Sequence, residues 1–409
     1  MPINYLNIRE QVQQMGVQYS LIHQDDQSNL TEARELLLSQ ANQLEKLKNL
    51  VEEAAREHPY LRCAAPFEDP LTMVYDEPET DEEQVLILAS DGSQINPDRH
   101  DPVEFGLVNV GIFQLISSSK LIPEIWSHSK LFYDGMIGNE LGNLNEESIA
   151  LARDTKERGF LSEKAVEQQR KLASEFNGEL LPVIALTDGP LEIFGEPRSV
   201  RNYQIFLKEY LLSLDKIADI GAVIGGYVDK PRADLVVRML ELSLMTDSEL
   251  SKRELPRIFE RITDAALFSI ILAPGQRTGV FKLISRGAKQ FADPPRLGLH
   301  FFYLNVGMVQ RDGTPLNMFA RVEIPQWVAA DHEKIDRLHS TLIQQCRILG
   351  NQPYPYVLHR AHEIATVRYE EHDDLLRMIT TELLNHGIQL SSGSQKSENK
   401  SSMRSRRSY

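Results

Sequence analysis

Apolar residues along the chain occur in short continuous runs and in longer segments with helical spacing. The short runs predict strands at 85–89, 103–116, the run that ends at Asp188, 221–228, 299–307 and 318–325. The run 103–116 is long enough for one strand or two. The periodic segments predict helices at 32–57, 144–176, 199–214, 231–245, 332–349 and 355–387. Strands that alternate with helices, with some strands consecutive, predict an α/β fold with a mixed sheet.

The predicted helix at 32–57 is the first strongly amphipathic segment of the chain. Thr31 is a suitable N-cap, since its hydroxyl could accept from the first backbone N–H groups. Leucine and valine recur at helical spacing, at Leu36, Leu37, Leu44, Leu47, Leu50 and Val51. We expect a helix that packs on the body of the protein or forms oligomers.

The composition is that of a folded globular protein, with 42% hydrophobic and 25% charged residues. Two cysteines, Cys63 and Cys346, are too few for a disulfide framework and fit a reducing compartment. The first residues lack the apolar core of a signal peptide, and no run of about 18 apolar residues occurs. We therefore expect a cytoplasmic protein without a membrane span.

The charge is unevenly distributed along the chain. The formal net charge of −15 argues against binding nucleic acid over the whole surface, but it allows a basic channel on an acidic body. Residues 66–83 contain eight acidic and no basic side chains, which predicts a solvated loop. Residues 252–296 hold nine Lys or Arg against four acids. The Ser-rich, basic residues 391–409 predict a disordered tail.

Two predicted strands end in an Asp-Gly pair, at Asp91-Gly92 and Asp188-Gly189. Functional groups of open α/β sheets gather at the carboxyl ends of strands, so both carboxylates could face one crevice. Two close carboxylates repel each other, and a divalent cation offsets that repulsion and can activate water. Asp-Gly is also a common turn sequence, so each junction could equally be structural.

A second group of polar residues lies on the predicted helix near the C-terminus. His359, His362 and Glu363 share one face at helical spacing. Such histidines are metal ligands or proton carriers in some enzymes, but they are more often ordinary surface residues. Tyr354-Pro355 precedes them and is typical of a helix start.

These motifs, in this order, resemble the NurA family of DNA nucleases. The resemblance covers about residues 84–372 and rests on DGS at 91–93, TDGPL at 187–191, GGYVDKPR at 225–232, FARVEIP at 319–325 and YPYVLHRAHEIA at 354–365. It implies a ribonuclease H-like core, manganese or magnesium as cofactor, and DNA as substrate. It also implies a homodimer that acts with the hexameric translocase HerA in the resection of DNA ends.

The resemblance carries specific residues over to this chain. Asp91 and Asp188 match the two metal-binding aspartates, His362 matches a histidine ligand or proton carrier, and Tyr354 matches a tyrosine of the site. A glutamate on the helix before Asp188 is also implied. Glu167 is the choice on spacing, with Glu163 and Glu147 as competitors. Arg321 and Glu323 match a further motif and lie either near the site or in a cross-sheet ion pair.

The resulting prediction is a metal-dependent DNA nuclease, with 5′-to-3′ exonuclease and single-strand endonuclease activity in DNA repair. A metal-dependent RNA nuclease or phosphoesterase on the same fold and a non-catalytic scaffold remain open. The predicted divisions are a helical segment at 1–65, a nuclease domain at 66–390 with a basic insertion at 246–297, and the tail. The predicted DNA contacts are Arg257, Arg277, Lys282, Arg286, Lys289 and Arg321.

Overall fold

The structure is a computed structural model that describes residues 3–79, 84–133, 144–175, 178–193, 203–350 and 352–388. The chain divides into two units, each built from distant segments. The first unit consists of Met1–Glu79, Gly189–Glu192 and Tyr227–Pro353, and the second of Thr80–Asp188, Ile193–Gly226 and Tyr354–Tyr409. The domain limits proposed from the sequence stay predictions, and the tail at 391–409 lies outside the described residues.

The strands are numbered along the chain. They are β1 (Cys63–Pro66), β2 (Val74–Tyr75), β3 (Leu86–Ile95), β4 (Phe105–Ile116), β5 (Glu124–Tyr133), β6 (Val183–Asp188), β7 (Val223–Asp229), β8 (Arg277–Thr278), β9 (Phe281–Ile284), β10 (Leu299–Asn305), β11 (Met308–Val309), β12 (Pro315–Leu316) and β13 (Phe319–Pro325).

The helices are numbered in the same way. They are α1 (Tyr5–Ser39), α2 (Leu44–Glu57), α3 (Glu146–Glu175), α4 (Tyr203–Asp219), α5 (Leu235–Leu242), α6 (Asp247–Leu250), α7 (Asp264–Phe268), α8 (Gln326–Ala329), α9 (His332–Ile348), α10 (Tyr356–Ala365) and α11 (Tyr369–Asn385). No described helix is long and apolar enough to cross a membrane.

The second unit has a five-stranded sheet in the order β5-β4-β3-β6-β7, of which β7 belongs to this unit as far as Gly226. The first three strands are antiparallel neighbours, and β6 runs parallel to β3. Helix α3 links β5 to β6, and α4 links β6 to β7. Three antiparallel strands followed by helix-linked strands are the ribonuclease H-like arrangement, so the predicted fold class is confirmed.

The strands at the centre of this sheet are apolar because helices cover them. Leu86–Ser90 of β3 and Val183–Thr187 of β6 are buried throughout. Helices α3 and α10 both pack on β3 and β4. Strands covered on both faces have continuous apolar runs rather than alternating ones, which is why these two were recognisable in the sequence.

The first unit is built around antiparallel strands in the order β1-β9-β10-β13. Its core includes a cluster of aromatic side chains whose ring centroids lie 5.5 to 6.1 Å apart, formed by Phe268, Phe281, Phe301 and Tyr303. The C-terminal half of α1 packs against α5 and α7 of the same unit.

The N-terminal helix prediction was wrong in its extent. The single helix expected at 32–57 is two helices, α1 and α2, separated by a turn at 40–43. Thr31 does not cap a helix, because α1 begins 26 residues earlier and the Thr31 hydroxyl donates to the carbonyl of Gln27. The early part of α1 buries no side chain, so it has no packed face from which the start of the helix could have been predicted.

The first predicted strand was wrong at its carboxyl end. The sequence indicated that the strand stops at Asp91, but β3 continues to Ile95. Antiparallel pairing with β4 extends over all ten residues, so Gly92 pairs inside the sheet instead of making a turn. The long run at 103–116 is one strand, β4.

Candidate active site

Alternate residues of β3 face two different helices. Ser90 and Gly92 face α3, where the Ser90 hydroxyl donates to Oε1 of Glu157 at 3.1 Å. Asp91 and Ser93 face α10, where the Ser93 hydroxyl donates to the carbonyl of Ala365. Because side chains of a strand alternate between its faces, Asp91 and Glu157 lie on opposite sides of β3.

Asp91 and Asp188 occupy neighbouring positions on two parallel strands. The parallel pairing of β3 with β6 runs from Leu86 beside Val183 to Ser90 beside Thr187, and the two aspartates are the next residues. Side chains at matching positions of adjacent strands share one face of the sheet, and adjacent strands lie about 4.8 Å apart. This register puts Asp91 and Asp188 side by side where the β3–β6 pairing ends.

Helix α10 brings His362 against Asp91. The Nδ1 atom of His362 donates to Oδ2 of Asp91 at 2.6 Å, while the His362 side chain remains 64% exposed. This approach depends on Gly111, the residue of β4 opposite Asp91. A Cβ atom at Gly111 would lie 2.5 Å from the backbone N of Ala365 and 2.8 Å from the carbonyl O of Ala361. Only glycine lets α10 come this close to the sheet.

Substituting Gly111→Ala should displace α10 and with it His362. Backbone atoms cannot move aside as a side chain does, so we expect a loss of about 1–3 kcal/mol in the free energy of unfolding. Because His362 moves, a reaction that uses the His362–Asp91 pair should slow by more than about tenfold. The matched control is Gly159→Ala on α3, where the nearest atom to a new Cβ is 3.9 Å away. Urea unfolding measures the loss of stability, and cleavage rates measure the loss of activity. Equal losses in Gly111→Ala and Gly159→Ala would contradict the role of Gly111 in positioning α10.

Glu157 is a buried carboxylate directly beneath the strand that carries Asp91. It lies on α3, is 4% exposed, accepts from Ser90 and forms an ion pair with Arg158. Burial raises its pKa from the usual 4.5 to about 8; Arg158 lowers it, and the negative charges of Asp91 and Asp154 raise it further. Asp91 is thus close enough to Glu157 for their charges to interact.

Asp91 and Asp188 are the residues of this site that could hold a divalent metal ion. Across the described part of the chain, no three or more His, Cys, Asp or Glu side chains form a ready metal-sized cluster. Mg²⁺ does not require one, because it usually binds through one or two carboxylates and completes its shell with water and substrate phosphates. Asp91 and Asp188 would supply two hard oxygen ligands where the β3–β6 pairing ends, and this chemistry fits Mg²⁺ or Mn²⁺.

The sequence pattern of the NurA domain matches residues 85–367, more than half of the chain. The chain belongs to the NurA family. This agrees with the resemblance seen in the short motifs of the sequence. A comparison with curated protein sequences gives no match.

Solved structures add only distant likenesses to this NurA assignment. The NurA nuclease from Sulfolobus solfataricus has a TM-score of 0.43 and 11% identity, over 86% of this chain and 96% of that one. Argonaute from Marinitoga piezophila, in complex with a 5′ OH guide RNA, has a TM-score of 0.31 and 14% identity, over 71% of this chain and 31% of that one. A type 1 RNase H with the type 2 active-site motif has a TM-score of 0.19 and 9% identity, over 36% of this chain and 63% of that one.

The glutamate chosen from NurA spacing does not lie beside Asp91. Glu167 lies on α3 with its side chain 56% exposed and pairs with Lys164 at 2.8 Å. It is ten residues beyond Glu157, about 15 Å along the helix axis. Glu147 is in the first turn of α3, and Glu163 lines a separate groove beside β5. Glu157 is the α3 carboxylate that contacts β3. It was not predicted, because Glu167 was chosen by its distance in sequence from Asp188 and not by which face of α3 is buried.

The remaining residues of the NurA late motif lie around α10. Tyr354 is half-buried, just before Pro355, which caps the helix. His359 does not contact Asp91 but lies 3.6 Å from Glu363 on the same helix, with 47% of its side chain exposed. His362 is therefore the histidine of this motif that the fold brings to an aspartate.

Two of the predicted DNA-contacting arginines are buried in the first unit. Arg277 is 1% exposed, stacks 3.9 Å above the Tyr75 ring and pairs with Asp336 at 2.9 Å. Arg321 is 5% exposed and donates to Glu323 at 2.8 Å. Guanidinium groups enclosed in this way hold the core together and cannot reach a phosphate, so the prediction was wrong for these two.

The other four predicted contacts are exposed. Arg257 pairs with Asp234 and Glu241, Lys289 donates to the carbonyl of Ala55, and Arg286 lies over the ring of Tyr60. Lys282 projects from β9 into solvent. These side chains stay candidates for contacts to a nucleic-acid backbone.

Glu323 holds the backbone of the NurA DGPL motif. Its Oε2 atom accepts from the N–H of Leu191 at 2.9 Å and from that of Glu192 at 3.3 Å, while Oε1 accepts from Arg321. The Arg321–Glu323 pair is thus the predicted ion pair. The carboxylate also fixes the turn that follows Gly189, which has a φ of 82° that favours glycine.

Proposed function

We propose that this chain is a metal-dependent DNA nuclease, a phosphodiester hydrolase with 5′-to-3′ exonuclease and single-strand endonuclease activity. The observation that carries the proposal is the placement of Asp91 and Asp188 side by side where β3–β6 pairing ends, with His362 bonded to Asp91. Membership of the NurA family supports the choice of a nuclease.

A divalent ion held by Asp91 and Asp188 would supply charge stabilisation for the transition state and a lower pKa for the attacking water. Asp91 also orients His362: as an acceptor-only carboxylate, it keeps a proton on Nδ1. In the neutral ring, Nε2 is then left as a proton acceptor. Since the His362 side chain is largely exposed, Nε2 can reach a bound phosphodiester and exchange a proton with its oxygens.

Glu157 is assigned a supporting role on the other face of β3, where it accepts from Ser90 next to Asp91. Burial raises its pKa, which favours the protonated form and so limits its repulsion of Asp91 when no cation is present. A cation at the site would favour the ionised form, and binding would then release a proton. Tyr354 is placed as a hydrogen-bond donor to a phosphate or as a stacking partner for a base.

We assign the exposed cations Arg257, Lys282, Arg286 and Lys289 to contacts with the DNA backbone. Phosphate contacts of this kind make binding weaken as the salt concentration rises. The proposed setting is DNA end resection and repair in the cytoplasm, together with a HerA-like hexameric ATPase. The buried free thiols of Cys63 and Cys346 are consistent with a reducing compartment.

The direct test is cleavage of end-labelled substrates by the purified full chain. Linear and circular single-stranded DNA, RNA and a small phosphoester are each incubated with Mn²⁺, Mg²⁺ or EDTA. We expect both DNA forms to be cut with either metal and none with EDTA. Faster cleavage of RNA or of the phosphoester than of DNA would show that DNA is not the preferred substrate. No cutting of any substrate, alone or with the HerA-like partner added, would contradict the proposal.

A further inference from the structure

A groove in the first unit is lined by basic side chains from three separate elements. It has a volume of about 520 Å³, and its walls include parts of α2, β9 and β10. Its cations are Arg56 of α2, Lys282 of β9 and Lys289, which lies on a short 3₁₀ helix. Among the described residues that line the groove, the acidic side chain is Glu52. The groove therefore carries a net positive charge on a chain whose formal charge is −15.

The cations of this groove are not neutralised by acidic partners. Arg56 and Lys282 are exposed, and within the described part of the chain neither forms an ion pair. Lys289 donates to the carbonyl of Ala55 at 3.3 Å, and that acceptor carries no charge. An anion in the groove would thus find unpaired positive charges, which bind phosphate well.

A buried histidine, His300 of β10, also lines the groove. Its side chain is 1% exposed, and its Nδ1 atom donates to the carbonyl of Gly298 at 3.1 Å. Burial lowers the pKa of His300 from 6.5 to about 4, so the ring is neutral near pH 7. With the proton on Nδ1, the Nε2 atom is an acceptor. Nε2 is buried and has no hydrogen-bond partner among the described residues, which costs free energy until a donor reaches it.

His300 and Lys282 lie side by side. They are directly paired residues of the antiparallel strands β10 and β9, so their side chains project from the same face of the sheet. The charge of Lys282 contributes to the lowered pKa of His300, which agrees with this proximity. A ligand that fits both needs a negative group and, close to it, an O–H or N–H donor. Apolar side chains complete the lining at Ala288, Pro295 and Leu299.

We propose that this groove binds a nucleoside 5′-phosphate. The phosphate contacts Arg56, Lys282 and Lys289, the 3′-hydroxyl of the sugar donates to Nε2 of His300, and the base packs on the apolar lining. The volume of the groove lies within the range of about 300–1,000 Å³ that is usual for small-molecule sites. The proposal does not rest on the nuclease function.

The first experiment is calorimetric titration of the full chain in EDTA, which removes any metal-dependent binding. The ligands are thymidine 5′-monophosphate, its analogue without the 3′-hydroxyl, thymidine, deoxyribose 5-phosphate and inorganic phosphate. We expect the complete nucleotide to bind most tightly. Each of the others lacks the phosphate, the hydroxyl or the base, and should bind at least about fivefold more weakly.

Charge variants test the place of the phosphate. Lys282→Gln and Arg56→Gln should each raise the dissociation constant of thymidine 5′-monophosphate about tenfold or more. The matched control is Lys46→Gln, which removes the same charge from an exposed position on α2 outside the groove and should change little. All three side chains are exposed, so circular dichroism should show the fold unchanged.

The variant His300→Leu tests the hydroxyl contact. Without the Nε2 acceptor, the nucleotide and its analogue without the 3′-hydroxyl should bind equally. No binding of the nucleotide, equal affinity for inorganic phosphate, or equal effects of K282Q and K46Q would each overturn the proposal. A preference for the 3′-hydroxyl that persists in a folded H300L would do the same, and the exposed variants decide if H300L does not fold.

Discussion

Replacing Asp91 with alanine should lower metal-dependent DNA cleavage about 10³-fold or more. A metal ion contributes several kcal/mol to a phosphoryl transition state, and each 1.36 kcal/mol is a factor of ten in rate. Asp188→Ala should have a similar effect, and the double variant should add little, because in the proposed site both carboxylates hold the same ion. Rates with Mn²⁺ and Mg²⁺ on single-stranded DNA measure this.

The fold should survive the loss of Asp91. Its carboxylate carries no part of the apolar core, and removing its charge also relieves repulsion on Glu157. Thermal unfolding without metal should therefore stay close to wild type, whereas the rise in melting temperature on adding Mn²⁺ should disappear. Full activity in the double variant Asp91→Ala, Asp188→Ala would eliminate this site.

Replacing Glu157 with glutamine should separate activity from stability. Glutamine keeps the size of the side chain and still accepts from Ser90, but it cannot carry the negative charge that Glu157 would take on when a cation binds near Asp91. We expect cleavage to fall by at least about a hundredfold. The matched control is Glu167→Gln on the same helix, which changes an exposed side chain paired with Lys164 and should leave the rate unchanged.

The same variant should flatten the pH dependence of unfolding in the metal-free protein. The folded-state pKa of Glu157 is about 8, against 4.5 as its usual value. Below 4.5 both states bind the proton, and between 4.5 and 8 only the folded state does. Stability is therefore lost as pH rises through this interval, by a few kcal/mol.

Urea unfolding between pH 5 and 8 measures this effect as a slope. E157Q should show a smaller decline across the interval than the wild type, whatever its stability at any one pH. The slope is the appropriate quantity because the variant also loses the charge partner of Arg158, which shifts the whole curve. Parallel curves for wild type and E157Q would contradict the raised pKa.

The parts of the fold that were predictable from sequence are those with strong burial. The apolar runs of β3, β6, β7, β10 and β13 were found because both faces of those strands are covered. Strand β5 was missed: it is mostly exposed, so Trp126 and Leu131 lie among polar residues without a continuous apolar run. Short strands such as β1 and β2 depend on partners distant in the sequence, which no local pattern shows.

Some residues of the candidate site were predictable from sequence and others were not, for the same reason. Asp91 and Asp188 follow apolar runs, so their motif could be seen, and His362 was located by the family's late motif. Glu157 could not be located by counting residues back from Asp188. The number of residues between them depends on the length of α3 and of the segment that connects α3 to β6, and neither is known from the motif. One available indication was a charged residue close to the apolar stripe of α3, near Leu161 and Ala165. The buried roles of Arg277 and Arg321 depend on tertiary contacts alone.

Gly111 offers a way to recognise related chains that have lost their activity. It faces Asp91 across the β3–β4 pair, and a Cβ atom there would lie 2.5 Å from the backbone of α10, which cannot move aside as a side chain does. A relative that keeps both aspartates but has a larger residue at this position should be a degenerate copy. Surveys of homologous genes can therefore use this position to separate active members from inactive ones.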